Sequence, residues 1–385
     1  KNSIFVNDRE MDKKTTELLE QLEIDIDPKM KMKDLSTAYT QLVEIVKAIS
    51  YDSKLVIMDE PTSAITEKEI EDLFKIITWL KAKGVSIIYI SHKMSELEQV
   101  CDRVTVMRDG HVIDTKPITE MTHEEMITKM VGRSIEKEYP ERPRCVGETL
   151  LEVRNLNTRK LHDINFKVNR GEILGFVGLV GAGRTEIIRA IYGADKVKGH
   201  ELFIEGQHKK IKNPIDAISA GIALIPEDRK LQGLILSQSV KTNIVMAIQK
   251  KHTKFGFLNK SSEKAIAEKQ VASLLIKTPS IKTRVVSLSG GNQQKCVVGR
   301  WLETQSKILI MDEPTRGIDV GAKYEIYMLM KEIVEKGASI ILISSELPEV
   351  LNMSNRVLAI CEGRISGEFN PETTSVNAIM EKVLG

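Results

Sequence analysis

An α/β fold built on mostly parallel sheets, and present twice in the chain, is what the sequence predicts, on three observations. Short apolar runs of strand length alternate with amphipathic stretches of helical length, the pattern of a parallel sheet clothed by helices. A long segment recurs: Lys54-Leu55-Val56-Ile57-Met58-Asp59-Glu60-Pro61-Thr62 returns as Lys307-Ile308-Leu309-Ile310-Met311-Asp312-Glu313-Pro314-Thr315, an offset of 312 − 59 = 253. The same offset carries Ser36 onto Ser289, Gly84 onto Gly337, Arg103 onto Arg356 and Gly110 onto Gly363. A repeat of that length points to two copies of one domain rather than to a solenoid. Third, a glycine-rich loop at residues 178–185 joins an apolar run to a helical stretch.

Residues 10–24 carry apolar positions at helical spacing and read as an amphipathic helix. Asp34, Leu35 and Ser36 look like a helix start. Residues 55–58 form a continuous apolar run, expected as a central strand covered on both faces. Residues 66–83 read as a helix closed by Gly84, residues 85–90 as the next buried strand and residues 104–107 as a third. Around residues 139–149 two prolines and little apolar content mark an interdomain linker. Beyond it, residues 150–156, 164–168 and 173–177 read as strands and residues 186–192 as a helix. The last twenty residues look like a short capping segment.

The domains expected are therefore residues 1–138, the linker 139–149 and residues 150–385. Residue 1 falls beside about position 254 of the second copy, so about 100 residues of that copy have no counterpart in the first. The chain also begins with Lys. The first domain is accordingly expected to be the C-terminal part of its fold, without a counterpart of the glycine-rich loop at residues 178–185.

Composition excludes several classes. Lysine plus arginine (56) balances aspartate plus glutamate (54), and aromatics are 4%, so neither a basic footprint nor a stacking platform for nucleic acid is present. Cys101, Cys145, Cys296 and Cys361 form no CxxC pair, which argues against a zinc site or a disulfide framework. The longest apolar run, residues 173–182, is too short to cross a bilayer, so a membrane role has to come through a partner.

The loop Gly178-Leu179-Val180-Gly181-Ala182-Gly183-Arg184-Thr185 has the spacing of a phosphate-binding P-loop. Gly178, Gly181 and Gly183 let backbone N–H groups converge on phosphate, the helix start adds a favourable dipole, and Thr185 suits Mg²⁺. Arg184 stands where such loops carry lysine, a bulkier planar group in place of a compact charge. A ligand-free turn is the bland alternative. No aromatic lies between Leu150 and Phe166 to stack on a base. Nucleotide binding is expected here, with poor hydrolysis.

Asp59-Glu60 and Asp312-Glu313 each end an apolar strand, where P-loop ATPases hold Mg²⁺ and orient the attacking water. Leu288-Ser289-Gly290-Gly291-Asn292-Gln293-Gln294 precedes a helix, so that Ser289, Gly290 and Gly291 form a second anion-binding device as well as a helix cap. In the first copy Ser36, Thr37 and Ala38 replace this, and phosphate cannot approach that backbone as closely.

With these motifs together, the chain resembles the ATP-binding cassette ATPases, and specifically the fused tandem ATPase subunits of bacterial monosaccharide importers. Residues 22–28, 130–134 and 277–279 are most similar to the galactose/methyl galactoside branch. The resemblance spans essentially the whole chain. It implies tandem P-loop domains, each a mostly parallel sheet with a helical subdomain. It further implies ATP with Mg²⁺, membrane permease subunits as a homodimer, an extracytoplasmic sugar-binding protein, and a peripheral position on the cytoplasmic face of the membrane.

Family geometry pairs each P-loop with the opposite signature. One site would use Asp59 for Mg²⁺, Glu60 for the attacking water and His92 as switch histidine, closed by Ser289, Gly290 and Gly291. The other would use residues 178–185, Asp312 and Glu313 with the altered Ser36 segment, Ser345 in the switch position, and Glu227 where the family has glutamine. Every alteration falls in the second site, which is expected to bind nucleotide while the first, where its phosphate loop is present, hydrolyses it; the chain by itself is expected to hydrolyse little ATP. Two competing readings are a soluble tandem cassette protein acting on ribosomes or DNA, disfavoured by the short linker and balanced charge, and a nucleotide sensor without turnover.

Overall fold

A computed structural model describes residues 7–22, 24, 26–35, 37–51, 53–62, 67–91, 94–108, 110–131, 139–143, 147–179, 181–197, 199–254 and 257–384. The chain divides into two compact units, Lys1–Ile135 and Glu136–Gly385.

In the first unit α1 spans Asp8–Gln21 and is capped by Asn7, which accepts from the Glu10 amide. It is followed by α2 (Thr37–Ile49), β1 (Leu55–Asp59), α3 (Glu67–Ala82), β2 (Ser86–Ile90), α4 (Met94–Val100), β3 (Arg103–Arg108), β4 (His111–Pro117) and α5 (His123–Val131). Gly84 ends the α3 region with φ +79°, a conformation that favours glycine. β1 and β2 pair in parallel, Leu55 beside Ser86 and Asp59 beside Ile90. Val56 and Met58 point into a core with Leu42, Val46, Leu73 and Ile77.

Here the sequence expectation needs correcting. β1 and β2 are not covered on both faces: Leu55, Ile57, Ile88 and Ile90 are 47–62% exposed. The helices cover one face, and among the described residues nothing covers the other. Residues 104–107, expected as a third strand, lie within β3. β3 pairs antiparallel with β4, a hairpin the apolar pattern did not announce.

The second unit contains β5 (Thr149–Leu156), β6 (Ile164–Asn169), β7 (Ile173–Val177), α6 (Arg184–Ile191), β8 (Glu201–Ile204), β9 (Gln207–His208), α7 (Pro214–Ser219) and β10 (Ile222–Ile225). Then come α8 (Val240–Val245), β11 (Thr253–Lys254), β12 (Phe257–Leu258), α9 (Lys260–Ser273), α10 (Gly290–Leu302), β13 (Ile308–Asp312) and α11 (Val320–Glu335). β14 (Ser339–Ile343), α12 (Leu347–Met353), β15 (Arg356–Cys361), β16 (Arg364–Phe369) and α13 (Val376–Leu384) complete it.

Its main sheet has the order β10-β13-β14-β7-β15-β16, parallel except for β16. Every residue of β7, β13 and β14 is buried, as continuous apolar runs in a two-sided parallel sheet require. β6-β5-β8-β9 form an antiparallel sheet, joined to the main one through an edge contact of Phe166 with Phe176. α8, α9 and α10 pack together as a helical group, with Arg300 of α10 donating to the Asn243 carbonyl at 2.7 Å. The C-terminal α13 tucks Ile379 and Val383 against Val357 and Ala359.

The residues expected as linker are partly docked on this unit. Tyr139 stacks on Tyr327 at 5.2 Å, and Arg142 donates to the Leu351 carbonyl at 2.7 Å.

Candidate functional site

The site of the second unit sits at the C-terminal ends of β7, β13 and β14, where open parallel sheets present loops to a ligand. β7 ends at Gly178, which passes so close to β15 that an added Cβ would lie 2.5 Å from the Ile360 carbonyl oxygen. Gly181 and Gly183 adopt φ +86° and +109°, the left-handed region, and turn the chain into α6. The Gly363 amide fixes the loop by donating to the Ala182 carbonyl at 2.8 Å. The first-turn amides of a helix lack intrahelical partners, so the start of α6 offers N–H donors suited to an anion.

Thr185 and Asp312 meet beneath this loop, the threonine hydroxyl donating to Asp312 Oδ2 at 3.1 Å. Asp312 is 3% exposed, and its other oxygen, Oδ1, finds no hydrogen-bond partner. Burial, reinforced by Glu227 and Glu313 nearby, pushes its carboxyl up to about 7. A buried carboxylate oxygen left unmatched beside a hydroxyl is a donor pair that fits Mg²⁺, which takes few protein oxygens and completes its shell with phosphate and water. Among the described residues no larger acidic or histidine cluster exists that would suit a dedicated metal cage.

Glu313 follows Asp312 with φ +48°, and its amide donates to the Ile343 carbonyl at 2.8 Å. Burial raises its carboxyl too, while Ser345 Oγ donates to Oε2 at 3.1 Å. In the first unit Glu60 repeats this backbone, with φ +44° and its amide on the Ile90 carbonyl at 2.9 Å. Such a conformation in a glutamate costs about 1 kcal/mol or more. Asp59 and Glu60 are both exposed. His92 and Ser36 lie outside the described residues, as do the side chains of Thr37 and Ala38.

Arg184 does not point into solvent: its Nη1 donates to the Ser344 carbonyl at 2.8 Å, tying the loop to the segment that carries Ser345. Glu227 forms an ion pair with Arg316. Thr185, Glu227, Asp312 and Arg316 line one cleft of about 430 Å³.

At the start of α10 the structure corrects two readings. Ser289 occupies the cap position but makes no cap bond to the helix backbone; its hydroxyl accepts from Asn292 Nδ2 at 2.8 Å. The helix begins at Gly290, inside the motif that was expected to precede it. The glycines are also required by packing within the unit. A Cβ on Gly290 would stand 2.8 Å from the Gly317 carbonyl oxygen, and one on Gly291 would stand 2.5 Å from Ala322 Cβ.

Sequence reasoning missed Glu349. It is fully buried on α12, accepts from Thr315 Oγ1 at 2.8 Å on Oε1, and has no partner on Oε2. Burial pushes its carboxyl up to about 7. Its counterpart at 349 − 253 = 96, Glu96, accepts from Tyr89 at 2.9 Å and Ser91 at 3.0 Å. The repeat offset was the signal that could have found both.

A family model described as ABC transporter matches residues 161–316. The chain is 49% identical over 382 residues to the ribose/galactose/methyl galactoside import ATP-binding protein of Geobacillus kaustophilus, covering 99% of this chain and 76% of that one. It is 45% identical to the ribose import ATP-binding protein of Bacillus licheniformis, covering 99% and 78% respectively. Among solved structures it is similar to the ADP conformation of an ATP-binding cassette of an ABC transporter. There the TM-score is 0.53 at 21% identity, covering 62% of this chain and 99% of that one.

Proposed function

The chain belongs to the ATP-binding cassette proteins of ribose and galactose/methyl galactoside import, and from that premise we propose how its residues divide the work. It is an ATP-binding and ATP-hydrolysing subunit that drives sugar import through membrane permease partners served by a sugar-binding protein. The finer reading is that residues 1–138 and 150–385 are two cassettes in tandem, that the permease is a homodimer, and that the chain works peripherally at the cytoplasmic face of the membrane. Galactose or a methyl galactoside is the sugar this reading favours.

In the second cassette Gly178, Gly181 and Gly183 shape the cradle, the amides of the α6 start take the phosphates, and Arg184 supplies positive charge beside them. Thr185 and Asp312 would hold Mg²⁺, which when bound neutralises charge between the terminal phosphates. Glu227 and Glu313 flank that position. In the first cassette Asp59 is the Mg²⁺ residue, Glu60 orients the attacking water and His92 contacts the terminal phosphate. Ser289, Gly290 and Gly291 act on the nucleotide that Glu60 hydrolyses. The second cassette binds without efficient turnover, because Arg184, Ser345 and Glu227 replace the lysine, histidine and glutamine on which the family's hydrolysis depends.

The observation that carries nucleotide binding is the Thr185 hydroxyl on Asp312, with Asp312 Oδ1 unmatched, beneath a loop only glycine can build. Titration of the chain with a fluorescent ATP analogue and Mg²⁺ tests it. Arg184→Ala and Thr185→Ala should each weaken binding by about tenfold or more, the scale of a lost charge-assisted bond. Unchanged affinity in both would overturn the reading.

A further inference from the structure

Arg229 lies where three segments of the second unit meet, and none of the roles above uses it. β10 ends at Ile225 and runs through Pro226, Glu227 and Asp228 into a turn of π-helical type, Arg229–Gly233. Asp228 caps that turn, accepting from the amides of Lys230 at 2.9 Å and Leu231 at 3.0 Å. The Arg229 guanidinium crosses to the loop that follows the acidic pair. It gives Nη1 to the Arg316 carbonyl at 2.6 Å and Nη2 to the Gly317 carbonyl at 2.8 Å. The Arg316 side chain returns to Glu227 as an ion pair, so the two loops are tied in both directions.

The third segment is the start of α10. A Cβ on Gly290 would stand 2.8 Å from Arg229 Nη2 and 2.8 Å from the Gly317 oxygen, so the helix start rests directly on this junction. The turn also leans on α10 further along: a Cβ on Gly233 would touch Val297 Cγ2 at 3.4 Å. Arg229 Nε is buried and without a hydrogen-bond partner, and burial lowers the guanidinium below the usual arginine range. The planar fork suits two adjacent carbonyls in a way that a single ammonium does not.

The geometry points to Arg229 as a positioning residue that couples nucleotide binding in the cleft of Thr185, Glu227 and Asp312 to the start of α10, where Ser289, Gly290 and Gly291 lie. The inference rests on the nucleotide-binding reading above. Phosphate and a divalent cation arriving beside Glu227 change the charge that Arg316 faces. A shift of Arg316 or Gly317 is passed to Gly290 because the same guanidinium holds both carbonyls and packs on the helix start. This is a contiguous physical link between two sites, and a coupling free energy is what it has to supply.

Hydrogen exchange on the full chain, with and without Mg²⁺ and ADP, tests it, with nucleotide affinity measured in parallel. In the wild type, ligand should slow exchange at the Arg229–Gly233 turn and at the amides of residues 290–294. The factor should lie between about 5-fold and about 150-fold, the span of typical couplings. Arg229→Ala should still bind ADP yet lose the slowing at residues 290–294, and Arg229→Lys, with one nitrogen to serve two carbonyls, should recover part of it. Glu227→Gln, which cannot disturb the fold of a buried core, should diminish the same signal by loosening Arg316. Full slowing at residues 290–294 in both Arg229→Ala and Glu227→Gln would overturn the coupling. Absence of ADP binding by the wild type would overturn the functional reading instead, and the inference with it.

Discussion

Asp312→Asn should make the nucleotide-free chain more stable while abolishing its Mg²⁺-dependent nucleotide binding. The carboxyl is raised from 3.8 to about 7, chiefly by burial. That difference of about 3 units corresponds to at most about 4 kcal/mol of native-state penalty for the ionised form. The sign follows from linkage: the native carboxyl stays neutral up to about pH 7, whereas the unfolded one ionises from about pH 4. Stability tied to this group is therefore fully present below about pH 4 and is lost as pH rises to about 7. Asparagine keeps an acceptor for the Thr185 hydroxyl and cannot ionise. The gain should be near zero at pH 4 and largest at pH 8, where thermal unfolding of the second unit should rise by on the order of 10 °C. Glu349 titrates in both variants and cancels in the difference, whereas Glu313, coupled to Asp312 through charge, cancels only in part. An equal gain at both pH values, or a loss at pH 8, would refute the argument that ionising Asp312 strains the site until a cation arrives.

In an importer whose first cassette also carries a phosphate loop, assembled with its permease, Glu60→Gln should remove nearly all ATP hydrolysis and sugar uptake, while Glu313→Gln should leave most of both; equal losses would show two hydrolysing sites. Gly178→Ala forces a methyl to 2.5 Å from the Ile360 carbonyl oxygen, so binding of the fluorescent nucleotide should fall at least tenfold, and wild-type affinity would show that the loop has room to move. Glu349→Ala strips the acceptor from the buried Thr315 hydroxyl and should cost about 1–3 kcal/mol by urea unfolding, whereas Glu349→Gln, which keeps an oxygen there, should cost less.

Much of the second unit was legible because its strands are buried on both faces. Ile173–Val177 and residues 308–311 are continuous apolar runs, and a run of that kind reads as a central parallel strand wherever it occurs. The same logic failed for β1 and β2. Their sequences are as apolar as those of β13 and β14, yet alternate residues are exposed, because apolar character reports what a strand is suited to and not what covers it. The β3–β4 hairpin was missed for a related reason. Its residues are mixed polar and apolar, and the signal that could have found it is the Asp109-Gly110 dipeptide, a favoured hairpin turn sequence in which Gly110 takes φ +80°. The phosphate loop and acidic pair were read from motif spacing, which backbone geometry fixes. The Thr315–Glu349 bond joins residues 34 apart and leaves no such local trace.

Gly290 shows how a correct residue can carry an incomplete reason. Read from sequence, its missing Cβ serves a phosphate approaching the backbone, and that remains the proposed use. In the folded unit the same missing Cβ is needed earlier, to let the helix start sit against the Gly317 oxygen and Arg229. Both demands point the same way, so loss of activity on substitution could not by itself separate them. Ser289 can: its hydroxyl contacts only the Asn292 side chain among the bonds described, and the residue is exposed. A bulky residue at position 289 therefore tests the phosphate role with little disturbance of packing, whereas position 290 tests the two together. The glycine is tied to its own fold as firmly as to any ligand, which makes it a natural point for movement of the 316–317 loop to reach the amides of α10.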